Sequence, residues 1–229
     1  MKQYLQSVLA VLICMALSQA ARAQEVDVSA FEKGIQQPAV QLFDVRTAEE
    51  FNSGHLAGAL QADYTDKEEF AHRVQYLDKQ KPVYIYCLSG GRSAAAAKWM
   101  RENGFSKVVE MAGGIRAWKQ AGKPLEGSAK ATEQLSVADY RQAVQKGLVL
   151  VDVGATWCPP CRKMEPVLQQ FLQAHPQVRL VKVDGGNDQL VMQSIQAHTL
   201  PTFIFYKDGR ETGRKEGVAT LQELEGMMK

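Results

Sequence analysis

The chain has 229 residues, of which 45% are hydrophobic and 23% charged; these are proportions of ordinary globular proteins, and the length allows one large domain or two small ones. Its 27 basic and 25 acidic residues leave a formal net charge of +2. That balance points neither to nucleic acid nor to an anionic membrane surface as a partner.

The first 23 residues have the pattern of a secretory signal peptide. Lys2 precedes an apolar run over 8–17, and small residues before Gln24 form a cleavage site ending at Ala23. The apolar run is short for a membrane-spanning helix, although an uncleaved anchor is the alternative, and no later segment is apolar enough to span a bilayer. We therefore predict an exported protein, in a bacterial periplasm after cleavage near Ala23, with no stable membrane insertion.

Cleavage at this site changes both the charge balance and the number of cysteines. It removes Lys2, Arg22 and no acidic residue, which leaves 25 basic and 25 acidic residues, and it removes Cys14. Of the three remaining cysteines, two form a close pair at 158 and 161, and Cys87 stands alone. An odd number in an exported protein leaves one thiol unpaired and marks it as potentially reactive.

A small, polar stretch over 121–134 divides the chain into two parts of about 100 residues each, a common domain size. We predict four segments: a signal peptide over 1–23, a first domain over 24–126, a linker over 127–131 and a second domain over 132–229.

In the first part, the pattern predicts strands and helices in alternation. A capping box opens a helix at Ser29, and Thr47 caps another. Apolar runs predict buried strands, and the stretches after them predict further helices. The predicted strands cover 40–45, 82–86 and 107–111, and the later helices cover 93–103 and 114–122.

The second part follows the same alternation. Its predicted elements are a helix over 136–147, a strand over 148–155, a helix over 161–175 kinked at Pro166, a strand over 178–184, a helix near 188–198, a hairpin that turns at Asp208-Gly209, and a final helix. Strands alternating with helices predict parallel or mixed sheets covered by helices in both parts, an α/β fold.

Cys87 lies between a predicted strand and the start of a helix. Backbone N–H groups are unpaired there and the helix dipole is positive, so we expect the pKa of this thiol to be lowered. Gly90 and Gly91 allow a tight loop whose amides point inward, and Arg92 adds a positive charge suited to oxyanions. Only four residues separate Cys87 from Arg92, one fewer than in cysteine-dependent phosphatases, so the ring suits one sulfur atom better than a phosphate. A buried, inert core thiol is the alternative.

Three segments around this loop resemble the rhodanese family of thiosulfate sulfurtransferases. They are "LFDVRTAEEFNSGHLAGALQADY" (42–64), "YCLSGGRSAAAA" (86–97) and "VVEMAGGIRAWKQAGKPLE" (108–126). The resemblance implies a doubly wound parallel sheet and a persulfide that forms on Cys87 with Arg92 beside it. The loop residues expected to bind substrate are Leu88, Ser89, Gly90, Gly91 and Ser93. We expect Asp44, Arg46 and His55 to form a structural polar network near the loop, since most hydrogen-bonded polar groups serve structure; a rhodanese fold used only for binding stays open.

The second cysteine motif, "WCPPC" at 157–161, follows a predicted buried strand at the start of a helix. Two intervening residues bring the sulfurs within bonding distance. Cys158 at the helix cap is the expected attacking thiolate and redox partner of Cys161, the resolving thiol. Half of a zinc site and an inert structural disulfide are the alternatives. No histidine pair supplies the missing zinc ligands, so we expect no metal and no cofactor.

The second part resembles thioredoxin through "LVDVGATWCPPC" (150–161) and "TLPTF" (199–203). The resemblance implies a mixed central sheet and a buried acid, Asp152, that accepts the proton of Cys161. Lys182 falls on the lysine that pairs with this acid. Pro201 is expected in the cis form facing the cysteines, and Trp157 and Pro201 are expected to contact substrate.

The two resemblances together imply a sulfurtransferase joined to a thiol–disulfide oxidoreductase. Cys87 would take sulfane sulfur from thiosulfate or a persulfide, and the Cys158/Cys161 dithiol would reduce or accept it. The expected partners are such a donor, a thiol protein or small thiol, and an external reductant of the pair. Two alternatives stay open: a general disulfide reductase or isomerase with an independent rhodanese domain, and an adaptor whose rhodanese domain only docks a thiol client.

Overall fold

The computed structural model describes residues 24–127 and 134–228. Both predicted halves fold as α/β units, one with a parallel five-stranded sheet and one with a mixed four-stranded sheet, so the predicted fold class is confirmed. The predicted signal peptide and most of the predicted linker lie outside the described residues. Within the described ranges, no helix combines the length and apolar character needed to cross a bilayer.

The first half alternates short strands with helices along its whole length. Its elements are β1 (Gln24–Val26), α1 (Val28–Ile35), β2 (Gln41–Asp44), α2 (Ala48–Asn52), β3 (Leu60–Gln61), α3 (Lys67–Val74), β4 (Val83–Tyr86), α4 (Gly91–Glu102), β5 (Val108–Met111) and α5 (Gly114–Gln120). The strands lie in the order β1-β5-β4-β2-β3, and all neighbours are parallel.

Alternating side chains on these strands build two cores, one on each face of the sheet. Leu42 faces a cluster with residues of α1 and α5, whereas Phe43 faces a cluster with residues of α3 and α4. The sheet is therefore covered on both sides, which is why its strands read as continuous apolar runs rather than alternating ones.

Several local predictions for this half need correction. The cap of α1 is Asp27, whose side chain accepts a hydrogen bond from the N–H of Ala30, and the helix begins before Ser29. Thr47 does cap α2, in a capping box with Glu50. Helix α4 begins at Gly91, two residues earlier than predicted. The sequence does not predict strands β1 and β3, because two- and three-residue strands carry too little pattern. It does not predict helix α3 either, a short and largely polar helix.

The second half contains α6 (Val137–Val144), β6 (Leu148–Gly154), α7 (Pro159–Ala174), β7 (Val178–Asp184), α8 (Gln189–Ser194), β8 (Thr202–Lys207), β9 (Arg210–Glu216) and α9 (Leu221–Gly226). Its strands lie in the order β7-β6-β8-β9, with β6 and β7 parallel and the other pairs antiparallel. The predicted hairpin at Asp208-Gly209 joins β8 and β9. Helices α6 and α8 pack on one face, and α7 and α9 on the other.

Candidate active sites

Cys87 stands at the carboxyl end of β4, where the chain turns into α4. The thiol is 1% exposed, and its Sγ accepts hydrogen bonds from the N–H of Gly90 at 3.2 Å and from Ser93 Oγ at 3.3 Å. Gly90 has a φ of 108°, which only glycine adopts readily, and this conformation turns the loop amides toward the sulfur. The structure thus forms the inward-facing loop that the sequence predicts.

The pKa of Cys87 is lowered from its ordinary value by the loop. Burial acts in the opposite direction and would raise it, but the hydroxyl of Ser93 and the backbone N–H groups of Ser93, Ser89 and Gly90 outweigh burial. These donors stabilise the thiolate more than the thiol. The loop therefore makes this buried thiol easier to ionise than its burial alone would allow.

Helix α5 holds the backbone of this loop by two hydrogen bonds. The N–H of Ile115 donates to the carbonyl of Cys87 at 2.8 Å, and the N–H of Arg116 donates to that of Leu88 at 3.2 Å. A Cβ at Gly114 would lie 2.7 Å from the carbonyl carbon of Leu88 and would overlap the carbonyl oxygen of Cys87. The glycine lets α5 approach the backbone closely enough to hold it.

Arg92 makes an ion pair that the sequence does not predict. Its Nη1 and Nη2 both donate to the carboxylate of Glu50 at 2.7 Å. The arginine lowers the pKa of Glu50 to about 2, with a smaller contribution from the N–H of Thr47. Arg92 therefore stands beside the Cys87 loop with its planar fork already paired, and Glu50 belongs to the candidate site. The capping box at 47–50 was the only sequence signal for this carboxylate.

The expected polar network forms around Asp44 and Arg46 but does not include His55. Arg46 donates to both carboxylate oxygens of Asp44 and to the carbonyl of Gly54, and both side chains are buried. His55 instead stacks on Phe51, with its ring 3.7 Å away. The pair supports the strand ends, while His55 lies at the cleft between the two halves.

The second site begins at the end of β6. Cys158 caps α7 and forms a disulfide with Cys161, and its Sγ accepts a hydrogen bond from the N–H of Cys161 at 3.4 Å. Cys158 has no exposed surface, whereas Cys161 is partly exposed. Pro159 and Pro160 occupy the first turn, where helical N–H groups lack partners anyway.

Asp152 and Cys161 face the same point beside β6. A Cβ at Gly154 would lie 3.3 Å from Asp152 Oδ1 and 3.5 Å from Cys161 Sγ. Burial raises the pKa of Asp152, and the positive charge of Lys182 on the paired strand β7 partly opposes this increase. All four residues line a cleft of about 500 Å³. The Leu200–Pro201 peptide bond is cis, as the resemblance to thioredoxin implies.

The first half covers the face of the second that carries the disulfide. The carbonyl of Trp157 accepts from the N–H of Gln61 on edge strand β3 at 3.0 Å, and Arg73 lies over the indole ring at 5.0 Å. The ring of Phe51 is 5.7 Å from that of Trp157, and Asn52 Nδ2 donates to the carbonyl of Gly186 at 2.6 Å. Trp157 is thus 7% exposed and sits inside the domain interface.

Cys87 and the disulfide occupy separate places in this arrangement. Asp44 on β2 has Tyr86 of β4 beside it on one side and Gln61 of β3 on the other. The N–H of Gln61 in turn donates to the carbonyl of Trp157. With strands about 4.8 Å apart, three such steps place the backbone next to Cys87 about 14 Å from that of Trp157. The structure brings Cys87, Ser93 and Gly90 together, and separately Cys158, Cys161 and Asp152, but does not join the two groups.

Within the described part of the chain, no cluster of three or more His, Cys, Asp or Glu side chains is arranged to hold a metal ion.

Comparison with known proteins assigns both halves. The model of the rhodanese-like domain matches residues 27–121, and the thioredoxin model matches residues 131–229. Fold and sites therefore define a two-domain thiol protein. By its second half the chain belongs to the thioredoxin family, preceded by a rhodanese-like domain.

Individual proteins are similar to this chain over less than half of its length. A thioredoxin of Alicyclobacillus acidocaldarius is 35% identical over 100 residues, which are 43% of this chain and 95% of that protein. Thioredoxin-2 of Saccharomyces cerevisiae is 35% identical over 88 residues, 38% of this chain and 85% of that protein. A solved rhodanese-related protein of Thermoplasma volcanium is 25% identical, with a TM-score of 0.41, over 45% of this chain and 98% of that one.

Proposed function

We propose that the protein is an exported sulfurtransferase and thiol–disulfide oxidoreductase of a bacterial periplasm, in which Cys87 carries sulfane sulfur as a persulfide and the Cys158/Cys161 dithiol reduces it. The domains themselves support sulfurtransferase and thiol–disulfide oxidoreductase activity in general. The observation that carries the finer proposal is the buried sulfur of Cys87, whose thiolate is stabilised by Gly90 and Ser93.

The loading step transfers one sulfur atom and consumes no electrons from the protein. The Cys87 thiolate attacks the outer sulfur of thiosulfate, the sulfur–sulfur bond of thiosulfate breaks, and sulfite leaves with the electron pair. The loop amides that face Cys87 then cradle the persulfide. A small-molecule or protein persulfide would serve as donor by the same displacement, with its thiolate as the leaving group.

The unloading step uses the two electrons of the dithiol. The Cys158 thiolate attacks the outer sulfur of the protonated Cys87 persulfide, so the Cys87 thiolate leaves and the sulfur atom moves to Cys158. Cys161 then attacks the inner sulfur of that new persulfide, and hydrosulfide leaves as the Cys158–Cys161 disulfide forms. The proton of Cys161 passes to Asp152, which faces the same point. An external reductant restores the dithiol.

In the docked arrangement neither an external client nor Cys87 reaches Cys158, and the short connection between the halves is what favours the partner within the chain. A general disulfide reductase must present its attacking cysteine to a client, but Cys158 has no exposed surface and Trp157 is covered by the first half. Direct exchange with Cys87 also requires the halves to separate and realign, because the backbones next to the two cysteines are about 14 Å apart. The short connection between the halves keeps the local concentration of each site high.

The experiment measures sulfide release in a single turnover. The reduced protein is mixed rapidly with thiosulfate and sulfide is followed over the first turnover, while the Cys87 persulfide is trapped at intervals and identified by mass spectrometry. We expect prompt release from the unmodified chain and at least a tenfold slower release from Cys158→Ser, because one attacking thiolate is missing. Cys87→Ala is the matched control, since it forms no persulfide.

Other results would overturn the proposal. Unchanged release from the loaded Cys158→Ser chain would show that the two sites do not exchange sulfur. Turnover of insulin disulfides that survives Cys87→Ala at full rate, without any Cys87 persulfide, would favour the independent reductase. A Cys87 that never takes up sulfur would favour the adaptor.

A further inference from the structure

The hydroxyl of Ser93 has more acceptors than protons. Its Oγ lies 3.3 Å from Cys87 Sγ, 3.0 Å from the carbonyl oxygen of Gly90 and 2.7 Å from Glu110 Oε1. A hydroxyl donates one hydrogen bond and accepts two. The single proton of Ser93 can therefore serve only one of these three contacts. If it points at the sulfur of Cys87, the short contact between Ser93 Oγ and Glu110 Oε1 needs a proton from another donor.

Glu110 is the group that can supply that donor. It lies on β5 beneath the loop, is 3% exposed, and a Cβ at Gly90 would be 3.8 Å from its Oε1. The charged groups that act on it are Glu25, its neighbour on β1, and Arg101 of α4, whose Nη1 donates to the carbonyl of Val108 at 3.5 Å. Burial raises the pKa of Glu110, and the hydroxyl of Ser93 and Arg101 only partly oppose it.

We propose that Glu110 is a positioning residue of the Cys87 site: its protonated carboxyl donates to Ser93 Oγ, and the hydroxyl of Ser93 then donates its own proton to the sulfur of Cys87. The proposal rests on the proposed function only in taking Cys87 as the reacting sulfur. Glu110 touches neither the sulfur nor a substrate and acts through Ser93.

The chain of hydrogen bonds has a consequence for the charge of the site. An ionised Glu110 would take the serine proton for itself and would place a second negative charge one hydroxyl group away from the thiolate. Like charges so close do not both form readily in a buried site, so formation of the thiolate favours the neutral carboxyl. The reactive form is therefore a Cys87 thiolate together with a neutral Glu110 carboxyl. The hydrogen bond from Ser93 also stabilises the Cys87 thiolate when it is the leaving group in the unloading step.

Four variants of the whole chain test this arrangement: Ser93→Ala, Glu110→Gln, Glu110→Met and the double variant Ser93→Ala/Glu110→Met. Glutamine keeps an N–H donor for Ser93 without an acid, whereas methionine keeps the volume and removes the donor. The readout is the rate of iodoacetamide alkylation against pH, measured by mass spectrometry on the peptide that carries Cys87, so the other cysteines do not contribute.

We expect alkylation at pH 7 to slow about tenfold in Ser93→Ala, because the variant lacks the hydroxyl that donates to the thiolate. We expect a similar loss in Glu110→Met, because without the donor on Glu110 the proton of Ser93 turns to the carbonyl of Gly90, 3.0 Å away. The alkylation rate of Glu110→Gln should stay within about threefold of that of the unmodified chain. Its rate against pH should follow the single ionisation of Cys87, whereas the unmodified chain should show a broader curve because Cys87 and Glu110 titrate together. The double variant should be no slower than Ser93→Ala, because Glu110 acts through that serine.

Three outcomes would overturn the proposal. The first is alkylation of Glu110→Met at the unmodified rate. The second is alkylation of Glu110→Gln about tenfold faster than in the unmodified chain, the result expected if an ionised carboxylate were removed. The third is additive losses in the double variant. If Glu110→Met does not fold by circular dichroism, the rate and profile of Glu110→Gln decide alone. Alkylation of Cys87 does not need sulfur transfer, so this experiment tests the role of Glu110 even if the proposed function is wrong. Likewise, the sulfide-release experiment tests the proposed function even if Glu110 has no such role.

Discussion

At Cys87, burial and hydrogen bonding act in opposite directions on one sulfur atom. Burial favours the neutral thiol, while donors from Ser93 and Gly90 favour the thiolate and prevail. The neighbouring Arg92 is held by Glu50 instead of standing free. At the scale of single residues, the site thus combines a buried thiol with a partly exposed ion pair, and each of these groups meets its partner within the fold.

The Arg92–Glu50 pair gives a stability prediction with a defined sign. Arg92 lowers the pKa of Glu50 from 4.5 to about 2, so the folded state binds the proton more weakly than the unfolded state does. The stabilisation is therefore fully present above about pH 4.5 and is lost as pH falls toward 2. Because the pair is partly exposed, we expect Glu50→Gln to remove about 1–2 kcal/mol of that pH-dependent free energy of unfolding.

The measurement is urea unfolding between pH 2 and pH 6. Glu49→Gln is the matched control, since it removes the same charge from the same turn of α2 at an exposed position. Equal pH dependence in the two variants would contradict a special contribution from the Arg92 partner.

At the scale of elements, the Cys87 loop is held between the end of β4 and the starts of α4 and α5. The carbonyls of Cys87 and Leu88 accept hydrogen bonds from the first turn of α5. Helix α5 therefore orders the active loop from a position more than 25 residues downstream. Gly114 allows this approach, both by its φ of 59° and by lacking a side chain.

Replacement of Gly114 should damage both stability and the Cys87 site. We expect Gly114→Ala to cost about 3 kcal/mol or more of the free energy of unfolding, because strain at positive φ adds to overlap with the loop backbone. Gly122→Ala is the matched control: its φ is 68°, but its Cβ would meet nothing within 4 Å. It should cost only about 1 kcal/mol.

Urea unfolding and the Cys87 alkylation rate report the two effects separately. Alkylation should change in Gly114→Ala and stay unchanged in Gly122→Ala. Similar losses of stability in both variants would mean that backbone conformation alone, and not the approach of α5, sets the cost.

At the scale of the whole molecule, the first half acts as a cover for the dithiol face of the second. Edge strand β3 meets the backbone of Trp157, and helix α3 packs against α7, which Cys158 caps. The apolar core therefore continues across the boundary through Phe51 and Trp157. Because Trp157, next to Cys158, lies in this interface, we expect the docking to limit access to Cys158.

A bulky residue at Gly186 should open the interface. A Cβ there would lie 3.2 Å from Trp157 Nε1 and 3.3 Å from Asn52 Oδ1, so a leucine has to push the halves apart. We expect Gly186→Leu to raise the alkylation rate of Cys158 in the reduced chain about tenfold, which corresponds to about 1.4 kcal/mol of lost docking free energy.

Gly226→Leu is the control, since a Cβ at that position would meet nothing within 4 Å. Turnover of insulin disulfides should rise together with the exposure of Cys158. An unchanged Cys158 rate in Gly186→Leu would show that the domain interface is not what buries the attacking thiol.

The sequence by itself determined the α/β class, the two domains and the cysteine motifs, because apolar periodicity, capping residues and motif spacing are local signals; the cis bond before Pro201 followed from the resemblance to thioredoxin. The short strands β1 and β3, the pairing of Arg92 with Glu50, the Ser93–Glu110 contact and the covering of Trp157 were decided only by the tertiary structure. Each joins segments far apart in the chain, and no local pattern records which distant side chain or strand edge will meet a given residue once the sheets are assembled.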